Sequence, residues 1–249
     1  MNVFITGGTT GLGLAIGKLY LAKGDSVGVC SFEPAAEAKG RLPDGMRYYR
    51  ADVTDAAAMR RAIRKFHDDH GSVDLVIANA GLNHPKKKIP DFELGRRVIN
   101  VNIIGVTNTF GPAIEIMKEQ RSGHLAAIAS ASGFYGYPGL AFYGATKAFV
   151  ITFCETLVTD LTAFGIHVTC LAPGFIGTTF VKNNKHKMPF LMTQDEAACR
   201  AVAAIGRKQN LYIFPLPVML LTSVVRRLPK KLFYLLMERD ILGFAKGSE

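Results

Sequence analysis

Cysteine is sparse and unpatterned. Cys30, Cys154, Cys170 and Cys199 are the only four in 249 residues, and none belongs to a Cys-x-x-Cys. That spacing excludes a disulfide scaffold and a zinc ribbon, and suits reduced core thiols in a cytosolic protein. The six histidines show no metal spacing, so no metal site is expected. An apolar strand begins at once, without a basic n-region or cleavage pattern, so no signal peptide is expected. Leu211–Val225 carries no charge, but it is short for a membrane span and Pro215 and Pro217 interrupt it. Internal repeats, linkers and low-complexity segments are absent.

Acid is also in deficit. Thirty Lys and Arg stand against twenty Asp and Glu, for a formal charge of +10. Most of the excess lies late in the chain, where residues 180–249 hold twelve basic against five acidic side chains. No nucleic-acid motif accompanies it, so an anionic substrate or a membrane surface is the better match.

Apolar strands alternate with helical patterns as far as Leu171, which implies βαβ units. Strands are expected at Val3–Thr6, Ser26–Cys30, Met46–Arg50, Val73–Ala78, Leu125–Ala129, His167–Leu171 and, at the edge, Tyr212–Phe214. Helices are expected at Leu14–Ala22, Ala56–His67, Phe92–Met117 and Tyr143–Ala163. Right-handed crossovers make these one α/β, doubly wound parallel sheet of about seven strands. We expect a single Rossmann-type domain, with residues 1–178 as the cofactor and catalytic core and residues 179–249 as a lid and variable tail.

Polar chemistry gathers at the carboxyl ends of those strands, where such sheets bind ligands. Thr6-Gly7-x-x-x-Gly11-Leu12-Gly13 joins the first strand to its helix. Glycines there allow a tight turn, and the helix start offers free N–H groups to an anion such as a pyrophosphate. Ser31, Asp52-Val53, Asn79-Ala80-Gly81, Ser130 and Pro173-Gly174 follow other strands. Tyr143 and Lys147 are four apart and share a helix face. A phenol with a pKa of about 10 is a poor acid–base group at neutral pH. A neighbouring ammonium is expected to lower it toward the useful range.

Taken together, these motifs closely resemble the short-chain dehydrogenase/reductase family over about Val3 to Thr178. The resemblance implies an NAD(P)-dependent oxidoreductase that moves a hydride between a nicotinamide and a carbonyl or secondary alcohol. It assigns Ser130 to orient the carbonyl, Tyr143 to transfer the proton, and Lys147 to lower the Tyr pKa and hold the ribose. Asn102 completes the relay, with Asn100 as its competitor; Ser132 competes with Ser130 but sits two residues too close to Tyr143. It implies cofactor contacts from the glycine turn, Ser31, Phe32, Asp52, Val53, Asn79, Ala80, Gly81, Pro173, Gly174, Ile176 and Thr178. Asp52 has an equal alternative as a helix-cap residue.

At the end of the second strand Ser31 replaces the usual acid, which favours NADP(H) and leaves NAD(H) open. Thr10 and Phe32 occupy the places where a basic residue often stands. Glu33 could act as the acid, and Lys39 or Arg41 could meet a 2′-phosphate. The resemblance implies a homodimer or homotetramer. The alternatives on the same scaffold are a non-catalytic NAD(P)-binding regulator and a dehydratase or epimerase.

Phe180–Met192, with Lys182, Lys185, His186 and Lys187, reads as a lid or a solvated loop, and His84 with Lys86 to Lys88 as another loop. The tail, with Arg226-Arg227 and Lys230-Lys231 between apolar segments, fits either an interfacial anchor or a helix packed over the pocket. It resembles the tails of family members that act on lipid ketones. The expected substrate is hydrophobic, and the expected location cytoplasmic, with peripheral membrane contact as the anchor reading.

Overall fold

The computed structural model describes residues 1–83, 89–177 and 188–238. Seven strands form one parallel sheet: β1 Asn2–Thr6, β2 Ser26–Ser31, β3 Met46–Arg50, β4 Leu75–Ala78, β5 Gly123–Ile128, β6 Ile166–Pro173 and β7 Leu211–Phe214. Their spatial order is β3-β2-β1-β4-β5-β6-β7. The order reverses between β1 and β4, which pair directly through Val3↔Leu75, Phe4↔Val76 and Ile5↔Ile77. A crevice opens at such a switch point, beyond the carboxyl ends.

Both faces of the sheet are covered. Five helices do most of this: α1 Gly11–Ala22, α3 Ala56–His70, α5 Gly105–Gln120, α6 Ala141–Asp160 and α7 Gln194–Gly206. Shorter ones are α2 Ala35–Lys39, α4 Phe92–Ile99, α8 Leu216–Val225 and α9 Lys230–Glu238. Strand side chains alternate between faces. Phe4 therefore packs with Tyr49 and Phe66 on the side of α3, α5 and α6, while Ile5 meets Ile16, Tyr20 and the alanine face of α7 on the other. Burying both faces explains why the strands read as continuous apolar runs rather than alternating ones.

Local chemistry sets the helix ends. Asp55 caps α3 by accepting from the Ala58 N–H at 2.9 Å, and Gly71 ends it with φ 80°. Pro217 falls in the first turn of α8, where its missing N–H goes unneeded, so the prolines that interrupt Leu211–Val225 separate a strand from a helix.

Four expectations change. The first helix begins at Gly11, not Leu14, so Gly11 and Gly13 lie within its first turn while Gly7 and Gly8 precede it. The sixth-strand helix starts at Ala141 and ends at Asp160, giving way to a 3-10 turn at Thr162–Phe164. The long helix expected over Phe92–Met117 is interrupted by a π turn, Asn100–Ile104, between α4 and α5. Cys199 is exposed, whereas Cys30, Cys154 and Cys170 are the expected core thiols.

Candidate active site

A cavity of about 800 Å³ lies beyond the strand ends. The glycine turn forms one wall. Gly7 has φ 62°, and a Cβ there would come within 2.8 Å of the Ala80 Cα, so β1 and the segment after β4 touch backbone to backbone. Asn79 fastens this contact by donating its Nδ2 to the Thr6 and Gly7 carbonyls at 3.0 and 2.9 Å. Thr6 is buried; its Oγ1 accepts from the Asn79 and Ala80 N–H groups at 3.1 and 3.2 Å. Thr6 and Gly13 thus brace the turn from behind, while Gly7, Gly11, Leu12, Asn79, Ala80 and Gly81 face the cavity.

The start of α1 is open chemically. Thr10 is extended and makes no side-chain cap, and the first turn holds no acidic residue. Its N–H groups and positive dipole end are therefore left for an external anion. A bare glycine wall, an uncapped helix start and a long cavity suit a dinucleotide pyrophosphate.

Farther along, Ser31, Phe32, Glu33, Asp52 and Val53 line the cavity. Phe32 is 70% exposed. The Ser31 Oγ lies 3.1 Å from the Tyr48 hydroxyl, and Arg41 grips both oxygens of Glu33 at 3.0 Å. Asp52 is not the cap of α3, a role Asp55 holds; its Oδ1 accepts from the Thr54 N–H and hydroxyl at 2.9 and 2.8 Å. Pro173, Gly174 and Ile176 form the wall after β6, with Ile176 bridged to Met192. Thr178 lies outside the described residues, as do His84, Lys86 to Lys88, and the lid cations Lys182, Lys185, His186 and Lys187.

Ser130, Tyr143 and Lys147 meet in the same cavity. A tight 3-10 turn, residues 131–134, follows β5 and lies directly on α6. Gly133 permits this, because a Cβ there would stand 2.7 Å from the Lys147 carbonyl carbon. The turn sets Ser130 on the same cavity wall as Tyr143. Ser132, the competitor in sequence, instead donates its N–H and hydroxyl to the Ser130 Oγ at 3.2 and 2.9 Å. The Lys147 ammonium lies 5.7 Å from the Tyr143 ring centroid and donates to the Ile128 carbonyl at 2.8 Å.

The electrostatics differ from the sequence expectation. Burial raises the Tyr143 pKa above its ordinary value, and the nearby Ser130 hydroxyl only partly opposes it. Burial also pulls Lys147 down to about 8. Desolvation is the largest cause of both shifts.

Asn102 is fully buried in the π turn. Its Oδ1 accepts from the Leu82 N–H at 2.7 Å, and its Nδ2 donates to the Leu82 carbonyl at 3.0 Å and the Thr146 Oγ1 at 3.1 Å. Thr146 in turn donates to the Tyr143 carbonyl at 2.8 Å. Asn100, its competitor, is exposed on the cavity rim. Sequence reasoning missed Thr146, although it lies inside the Tyr-x-x-x-Lys pair. It also missed Val218, Leu221 and Thr222 of α8, which close the far end of the cavity with Tyr137, Leu140 and Phe175.

Comparison with known proteins bears on this geometry. The family description "short chain dehydrogenase" matches residues 1–189. An uncharacterized oxidoreductase of Myxococcus xanthus is 33% identical over 242 residues, covering 93% of this chain and 94% of its own. A 3-oxoacyl-[acyl-carrier-protein] reductase of Chlamydia pneumoniae is 32% identical, covering 76% of this chain and 80% of its own. The crystal structure of a 3-ketoacyl-(acyl-carrier-protein) reductase from Brucella melitensis superposes with a TM-score of 0.78 at 23% identity, over 86% of this chain and 95% of that one, and so shares the fold. The matches run through every strand from β1 to β6 and the motifs between them, and the chain therefore belongs to the short-chain dehydrogenase family and is an oxidoreductase that works with a nicotinamide cofactor.

Proposed function

We propose that the protein reduces a hydrophobic ketone with NADPH, through Tyr143, Ser130 and Lys147. The observation that carries this reading is the convergence of Ser130, Tyr143 and Lys147 on one cavity, with the Lys147 amine 5.7 Å from the Tyr143 ring centroid. The bound cofactor supplies a hydride to the carbonyl carbon. Ser130 and Tyr143 donate hydrogen bonds to the carbonyl oxygen as its negative charge grows, and Tyr143 gives up its proton. A phenol whose pKa is raised holds that proton throughout the neutral range, which favours the reductive direction. Asn102 acts as a positioning residue, since its side chain is spent on Leu82 and Thr146. The runner-up, an NAD(P)-binding regulator, leaves this arrangement without a purpose.

The residues at the end of β2 support NADP(H). Ser31 puts no charge at the strand end, and its register partner is Arg50 of β3. Arg41 and Arg50 balance the carboxylates of Glu33 and Asp52, and Arg41 is the cation placed to meet a 2′-phosphate. Glu33 is held by Arg41 and would release it to the phosphate. Asp52, Val53 and the backbone around Ile176 complete the cofactor contacts, with Thr178 beyond. The substrate class follows from the far wall, where Tyr137, Leu140, Phe175, Val218 and Leu221 converge. Residues from about 179 onward belong to this reading as lid and variable tail on one Rossmann-type domain, in a cytoplasmic homo-oligomer.

A panel of medium- and long-chain ketones, assayed in parallel with NADPH and NADH, tests the reading. Ketone-dependent NADPH oxidation is expected to exceed that with NADH. Failure of every ketone with either cofactor would remove the reductase assignment.

A further inference from the structure

Helix α8 has two apolar faces, and among the described residues only one has a task within the fold. Val218, Leu221 and Thr222 close the cavity. Leu216, Leu220 and Val224, spaced four apart on one stripe, are 58%, 55% and 59% exposed. No charge interrupts the helix. The following helix α9 is held to α8 by a small core of Val225, Phe233 and Met237. It too leaves apolar side chains outside, with Leu232 at 41%, Tyr234 at 56% and Leu235 at 41% exposure. A monomeric surface seldom leaves so many large apolar groups together without a partner.

The charges at the junction of these helices are of one sign. Arg226 and Arg227 follow α8, Lys230 and Lys231 open α9, and the first Asp or Glu after Leu211 is Glu238, the last residue of α9. Arg226 and Lys230 rest over the rings of Phe134 and Tyr135, at 5.1 and 5.5 Å. These stacks anchor the cationic corner to the turn that carries Ser130. Arg227 and Lys231 are exposed.

We propose that α8 and α9 form a peripheral docking surface for an anionic phospholipid bilayer. An apolar stripe inserts at the headgroup level, and adjacent Lys and Arg meet the lipid phosphates. A second copy of the chain fits poorly. A two-fold contact through this patch would bring its four cations against their own equivalents, with Glu238, at the far end of α9, as the one carboxylate in the two helices. An acidic protein would engage the cations but leave the uncharged stripe of α8 unanswered. Docking in this way sets the cavity one helix width, about 10 Å, from the membrane. That places a hydrophobic substrate next to its source.

The test is co-sedimentation of the full chain with phosphatidylcholine vesicles, with and without phosphatidylserine, at low and high salt. Binding to the phosphatidylserine vesicles, weakened by salt, is expected. Leu220→Asp with Val224→Asp should weaken it by roughly tenfold or more, through loss of the inserted apolar area. Arg227→Glu with Lys231→Glu should weaken it by a similar factor, through the lost cations. None of these four residues lines the cavity, so turnover and circular dichroism should match the parent and report that each variant folds. Absence of sedimentation at low salt would overturn the proposal. So would binding that neither double variant changes, or a drop in oligomeric size for Leu220→Asp with Val224→Asp in ultracentrifugation without vesicle binding by the parent. Sedimentation needs no turnover, so an inactive ketone panel would leave this inference standing.

Discussion

Asn102 and Thr146 hydrogen-bond across 3.1 Å in the protein interior, and through that contact the π turn holds the helix that carries Tyr143. Thr146 passes the connection on to the Tyr143 carbonyl. Asn102 also saturates both backbone groups of Leu82, just past the Asn79-Ala80-Gly81 segment. One buried amide thus ties together the β4 end, the π turn and α6.

Replacing Asn102 by Leu should therefore destabilise the fold as well as slow turnover. It leaves the Leu82 N–H and carbonyl and the Thr146 hydroxyl without their partner. A loss of about 2–4 kcal/mol is expected in urea unfolding. Thr146→Ser keeps the hydroxyl and should restore near-parent stability, whereas Thr146→Val should fall between. Equal stability of Asn102→Leu and the parent would show that the buried amide does not hold the site.

Tyr143→Phe should keep cofactor affinity and lose turnover by roughly 10²–10⁴-fold. The phenyl ring fills the same wall but has no proton to give. Cofactor fluorescence titration and ketone-dependent turnover, measured on one preparation, separate the two effects. Ser130→Ala should lose less, since it removes one of two donors to the oxygen. Near-parent turnover of Tyr143→Phe would remove the phenol from the reaction.

The alkaline limb of the reaction should belong to Lys147. Tyr143 stays protonated because burial raises its pKa, whereas burial brings the Lys147 amine down to about 8. Raising the pH through 8 thus removes the ammonium before the phenol ionises. The kcat/KM for reduction should be level below about 8 and fall above it. Lys147→Met should abolish that limb and leave a lower, flatter profile. Persistence of the limb in Lys147→Met would assign it elsewhere.

Much of this site was legible as spacing. Ser130, Tyr143 and Lys147 follow a strand end and a helix face that the apolar pattern had already located. Four features were not legible, each for a physical reason. The π turn has no local mark, because a side chain reaching Leu82, twenty residues earlier, decides it. The direction of the Tyr143 shift depends on how much water surrounds the phenol, and a four-residue spacing shows the neighbouring amine but not its solvation. The far wall comes from α8, whose apolar run is short for a span but does not by itself show what it packs against. The glycine turn was clear as a turn, but its closeness to Ala80 is a contact between segments more than seventy residues apart.

Cofactor choice should move with Arg41. It holds Glu33 through both oxygens, so Arg41→Ala removes the cation and leaves a carboxylate near Ser31. The KM for NADPH should rise about tenfold or more, with that for NADH nearly unchanged. Glu33→Gln should do the reverse, freeing Arg41 and lowering the KM for NADPH. Equal changes for both cofactors in either variant would mean that this pair does not read the 2′ position.

Away from the cavity, His124 should make the fold acid-sensitive. It lies near the start of β5, opposite His167 of β6, with their ring centroids 6.0 Å apart. Its Nε2 meets the Thr169 hydroxyl at 2.8 Å, while the Lys208 amine lies 2.9 Å from the His167 Nε2. Burial first, then His167 and Lys208, lower its pKa to about 4. In the unfolded chain the imidazole titrates near its ordinary 6.5. Between those values the unfolded chain binds the extra proton, so stability is full above about 6.5 and drains away as the pH falls toward 4. A shift of that size corresponds to roughly 3 kcal/mol. His124→Gln keeps a partner for Thr169 but cannot titrate. Urea unfolding from pH 4 to pH 7 should therefore show a slope in the parent that exceeds the slope in His124→Gln, and parallel slopes would place the acid sensitivity in other groups.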